Sequence, residues 1–185
     1  MHVMEEHLFV YQGYNRIIHD RNTDEIIMSE MLANQYFMAR KYKQACDLFE
    51  QEIARGVTNK SIRSKLIICY IQAGQVIDAW KIFVGLVAED VEFIIKLDPI
   101  RDDCPCPDLV FELGNGVIKN QNNADYYLTS GMIWLYCDAK KSLTYLKDAL
   151  AIDPQNQTIA GTISIINSYV CNSVDLGRST KISTL

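Results

Sequence analysis

The chain has 185 residues, 49% hydrophobic and 22% charged, which excludes a disordered tail or a collagen-like repeat and gives one domain, or two small ones, a core without staples. Eighteen basic residues against 23 acidic ones give a net charge of −5, which argues against nucleic acid as the main partner, since phosphate binding needs clustered cations. No apolar run approaches the roughly 20 residues of a membrane span, and Glu5 and Glu6 stand where a secretory leader wants positive charge. The expectation is therefore a cytoplasmic protein without membrane contact.

In chain order, residues 4–20 place Leu8, Tyr11, Tyr14 and Ile18 at helical spacing, broken only by Gly13. They read as a leading helix that covers the open face of the first hairpin, although His7 to Gln12 also suits a short strand. Asn22 and Glu25 resemble a capping box ahead of the next apolar-periodic run.

Self-comparison then finds a repeat. Laying Met31–Ile53 over Lys65–Val87 puts Leu32 on Leu66, Tyr36 on Tyr70, Ala45 on Ala79, Phe49 on Phe83 and Ile53 on Val87, a constant 34-residue offset. Leu32 and Tyr36 share one face of a first helix, and Ala45, Phe49 and Ile53 share one face of a second. A turn lies between them, at Arg40–Tyr42 in the first unit and Ala73–Gly74–Gln75 in the second. Ala45 and Ala79 are small where two antiparallel helices approach, and Phe49 and Phe83 fill the wedge beside them. Gly56 after Arg55 is a helix stop, and Thr58 or Asn59 can cap the next helix. Each unit is a helical hairpin with an apolar face too large to stay exposed, so units stack.

Val91–Leu97 extends the second hairpin until Asp98–Pro99 breaks it. The separation of Tyr70 from Trp134 falls short of two repeat lengths, so no full repeat fits between them. The segment 94–123 reads as an insertion or a degenerate repeat: a loop through Pro105, then a short helix opened by Pro107 and running from Asp108 to about Leu113. Tyr127, Gly131 and Trp134, then Ser142, Leu146, Ala149 and Pro154, make a third hairpin, one residue shorter at its turn near Cys137–Ala139. Ile159, Ile163, Ile166 and Val170 form the stripe of a closing helix over 157–172, and residues 173–185 read as a flexible tail.

These matched positions, and above all the run Leu146–Asn156, resemble the tetratricopeptide repeat family of 34-residue helix–turn–helix units. Ala33 and Ile67 stand where the family prefers Gly or Ala; the departure at Ile67 puts the packing of the second unit in doubt. The fold expected is all-α: an α-α superhelix of about three stacked helical hairpins with a leading and a closing helix. It forms one domain over 1–172, with repeats at about 26–59, 60–93 and 124–156. The resemblance implies that the first helix of each unit lines a concave groove for an extended peptide or a helix of another protein. Carried over by position, the inward residues are Ile27, Glu30, Asn34, Phe37 and Met38, then Ser61, Ser64, Ile68, Ile71 and Gln72, then Asp125, Leu128, Met132, Leu135 and Tyr136. The binding residues expected among them are Asn34, Phe37, Met38, Ile68, Ile71, Gln72, Met132, Leu135 and Tyr136. They make an apolar surface with Asn34 and Gln72 placed to hydrogen-bond a peptide backbone. Some of these positions can equally be core. Glu30 stands where a clamp for a C-terminal carboxylate needs a lysine, so that mode of binding is not expected.

Nothing in the sequence points to catalysis or to a cofactor. All three histidines, His2, His7 and His19, stand ahead of the first repeat, and no nucleophile elbow, zinc-binding helix or phosphate loop is present. Cys46, Cys69, Cys137 and Cys171 stand singly in apolar stretches, as small core residues do in a reducing compartment. Cys104-Pro-Cys106 is the alternative centre of function. Two thiols so close can ligate a metal or form a reducible disulfide, which would make the protein a metal- or redox-responsive regulator. Asp102, Asp103 and Asp108 disfavour thiolates there, and two further zinc ligands are missing from the sequence pattern.

Overall fold

A computed structural model describes residues 29–57, 59–98, 102, 106–114 and 123–179, and every regular element among them is helical. The expected leading helix, the Asn22 capping box, Ile27 and Cys104 lie outside the described residues. The chain divides into two compact units, Met1–Val57 and Thr58–Leu185, and this boundary falls two residues before the repeat junction expected at 59/60.

In the first unit, helix α1 (residues 29–38) and helix α2 (Tyr42–Ala54) form a hairpin. Ala33, Phe37, Ala45 and Phe49 are fully buried. The Phe37 ring meets Tyr42 edge-on at 5.9 Å between centroids and Phe49 at 6.3 Å, so three aromatic side chains lock the hairpin near its turn.

The second unit holds two more hairpins and a closing helix. Helix α3 (Lys60–Gln72) pairs with α4 (Val76–Ile95), and α6 (Asn123–Leu135) pairs with α7 (Ala139–Ile152). Helix α8 (Gln157–Ser179) lies against α4 and α7, the second helices of both hairpins, while α6 also touches α4. Ile159 and Ile166 of the expected closing stripe are buried, with Ile163 and Val170 half-buried. The helix continues past 172 into the segment read as a tail, because extending a helix already nucleated gains one hydrogen bond for each residue fixed. A short helix, α5 (Cys106–Gly114), arises inside the expected insertion and packs on α6.

The 34-residue register extends to the backbone of the turns. At the end of α1, Arg40 N–H donates to Phe37 O and Lys41 N–H to Tyr36 O; at the end of α3, Gly74 N–H donates to Ile71 O and Gln75 N–H to Tyr70 O. Each donor and acceptor is shifted by one repeat length. Lys41 (φ −86°, ψ 63°) and Gln75 (φ −89°, ψ 60°) then start the second helices in the same conformation. This is a left-handed helix stop, which favours glycine: Gly74 adopts φ +75°, but the first unit places Arg40 there at φ +59°. Arg40→Gly is therefore expected to stabilise the first unit by about 0.5–1 kcal/mol, the strain removed exceeding the entropy glycine adds to the unfolded chain. Gly74→Arg has open space for its side chain and should lose a similar amount through backbone strain alone. Urea unfolding followed by circular dichroism reads both, and a loss of stability in Arg40→Gly would refute the assignment.

The other boundaries follow from capping. Asn59 accepts from Ser61 N–H at 2.8 Å and starts α3. Asp138 accepts from the N–H groups of Lys140 and Lys141, which sets α7 going after the shortened turn. Helix α4 is broken at Asp90 (φ −162°, ψ 84°), whose carboxylate accepts from Phe93 N–H at 3.1 Å and so caps the turn beyond it. Lys60 Nζ reaches Asp90 at 2.7 Å and Arg63 reaches Glu89 at 2.6 Å. The bond from Lys60, then that from the Phe93 N–H, holds the Asp90 carboxyl below its ordinary pKa.

Candidate partner-binding face

The nine candidate binding residues are divided between the units: Asn34, Phe37 and Met38 in the first, the other six in the second. On α1, Met38 is 57% exposed and Asn34 half-buried, whereas Phe37 is fully buried in the aromatic lock. In the second unit Ile68, Ile71, Met132, Leu135 and Tyr136 are buried, and Gln72 is half-buried. Six of the nine are therefore core side chains, and a partner can touch them only if their cover moves.

The cause is that α3 and α6 are apolar on more than one face. Leu66, Ile67, Ile68 and Cys69 are four consecutive buried residues, and a helix of that kind must be covered around its circumference. Helix α6 is buried without interruption from Leu128 to Ile133. Gly131 lets α7 come close. A Cβ there would lie 2.5 Å from Leu146 Cδ2, and Ser142 Oγ donates to Gly131 O at 2.7 Å across the same crossing. At the end of α6 the Tyr136 hydroxyl donates to Ser64 O at 3.0 Å, which joins the two first helices of this unit. Burial pushes the Tyr136 phenol well above its ordinary pKa, so it stays a hydrogen-bond donor.

Helix α5 packs on α6 and reaches α3 as well. Its Leu109 and Leu113, one turn apart, are buried, while Pro107, Asp108 and Phe111 point outward. Gln72 Nε2 donates to Glu112 Oε2 at 3.5 Å, the outer limit for such a bond. The amide expected to hold a peptide backbone thus meets a side chain of α5. Pro107 marks the start of this short helix in the sequence, and the Leu109–Leu113 spacing is the signal that it seats on another helix rather than standing apart as an insertion.

Of the cysteines expected in the core, Cys46 and Cys69 are buried, whereas Cys137, beyond the end of α6, and Cys171, on the open side of α8, are exposed; Cys46 and Cys137 are poor nucleophiles. Burial, then the adjoining Glu50 carboxylate, pushes the Cys46 thiol up to about 12, and it donates to Glu50 Oε1. Burial, then Asp138, raises the Cys137 thiol. Cys106 opens α5, with its thiol outside the described atoms, and Cys104 is likewise outside, so the metal or redox alternative rests on undescribed positions. Among the described residues no three His, Cys, Asp or Glu side chains are grouped to hold a metal ion.

Comparison of the chain with protein-family models, curated proteins and solved structures returned no match.

Proposed function

We propose that this protein is a non-enzymatic interaction module of the tetratricopeptide type, acting in the cytoplasm as an adaptor, assembly factor or chaperone. It binds a peptide segment or helix of another protein along the first helices of its hairpins. The observation that carries this reading is α5: the α3–α6 side of the second unit already seats a short amphipathic helix through two leucines one turn apart. A surface that accepts one such helix has the chemistry to accept another. The repeated turn geometry in 34-residue register supports the family reading, and no described helix is long and apolar enough to cross a membrane.

A photo-crosslinking amino acid placed singly at Met38 and Gln72, with Lys81 and Lys147 on second helices as controls, tests it in cells that express the protein natively. The expected result is a discrete protein adduct from positions 38 and 72 and none from 81 and 147. Adducts of equal yield at all four positions, or none at any, would end this reading.

A further inference from the structure

We infer that α5 is a displaceable occupant of the α3–α6 face, and that the partner is an acidic amphipathic helix with two aliphatic anchors one turn apart. This rests on the binding reading above and goes beyond it by naming the competitor and the chemistry it shares with the partner.

Two observations carry it. First, the seat is narrow. Helix α5 has nine residues, too few to hold together alone in water, and among its described side chains Leu109 and Leu113 are the buried ones. Second, the outer side of α5 suits exchange. Phe111 is 72% exposed, Val110 and Glu112 are half-buried, and the tie from Gln72 to Glu112 is a long one. Pro107 stands in the first turn of α5, where a missing N–H costs nothing, and Gly114 is its last residue.

Tethering decides the balance. A segment held in the same chain competes at an effective concentration of about millimolar, so a partner helix must out-bind it by more contacts or by a better polar match. Leucines one turn apart reproduce the anchors, and a carboxylate three residues after the first reproduces the group that Gln72 engages.

The test uses the full chain and one defined probe. A fluorescein-labelled peptide with the sequence of residues 106–117, carrying Cys106→Ser, is titrated by anisotropy into the wild type and into Leu109→Asp/Leu113→Asp, which cannot seat its own α5. The expected result is at least tenfold tighter binding to the variant, with new hydrogen-exchange protection over α6. The same peptide with both leucines changed to aspartate should bind neither protein. In the wild type, α5 amides should exchange at least tenfold faster than those of α6. A variant that keeps its helical circular dichroism yet binds no tighter than wild type overturns the proposal. So does a variant that loses its helical signal, since α5 would then be part of the core. Crosslinking at Gln72 that is equally strong with and without the two aspartates removes the competitor role while leaving the binding reading intact. Failure of position-specific crosslinking removes that reading whatever the peptide does.

Discussion

Phe37→Ala is expected to lower the stability of the first unit by about 3–5 kcal/mol, the range for deleting a buried aromatic ring. Phe37 is fully buried, and its ring contacts Tyr42 and Phe49 edge-on, so the substitution leaves a cavity at the turn of the hairpin and breaks both aromatic contacts. Its neighbour Met38 is 57% exposed, and Met38→Ala should change stability by less than about 0.5 kcal/mol. Urea unfolding by circular dichroism, together with hydrogen exchange of the α2 amides, separates the two. If Phe37→Ala left the α2 amides fully protected, the side chain would be a surface contact, and the aromatic lock would not be what closes the hairpin.

Adjacent residues that look alike in sequence thus do opposite work, and this marks how far the sequence can be read. The hairpins are legible because a helix has one period and a hairpin has one turn: Leu32 and Tyr36, then Ala45 and Phe49, recur one repeat length later with their turn hydrogen bonds in the same register. The cap at Asn59 and the stop at Gly56 are legible because each is a local backbone requirement, and Val57 N–H and Gly56 N–H do bond back to Glu52 O and Ile53 O. The binding face is less so. Which side of α3 meets solvent depends on what lies across from it, and a helix with Leu66, Ile67, Ile68 and Cys69 in a row has no polar side to mark the outside. The break in α4 at Asp90 is hidden for a related reason. Its carboxylate caps the next turn while bonding Lys60 on a different helix, and nothing in the local pattern reports that partner.

Ile67, the residue at which the resemblance puts the packing of the second unit in doubt, is fully buried, and so is Ala79 of α4, so the unit closes around the larger side chain. The third hairpin has a glycine at the corresponding place: Ser142 and Leu146 come to Gly131 from α7.

That glycine is the one among the described glycines where an added Cβ would meet a neighbour. Gly131→Val is expected to lower stability by about 3 kcal/mol, the upper end of what overpacking a core costs. A Cβ at 131 would lie 2.5 Å from Leu146 Cδ2 and 2.7 Å from Leu146 Cγ, and Leu146 is fully buried, so its side chain has no free volume to turn into. Moving the helices apart instead would stretch the 2.7 Å bond from Ser142 Oγ to Gly131 O, leaving a buried hydroxyl and a buried carbonyl without each other. Leu146→Ala made in the same chain should recover part of the loss. The two substitutions should therefore be non-additive by at least about 1 kcal/mol, as expected for residues in direct contact. Urea unfolding of the two single variants and the double variant measures this coupling. Strict additivity would mean that α6 and α7 do not meet at this glycine, and the support that this crossing gives to the α6 face beneath α5 would be lost with it.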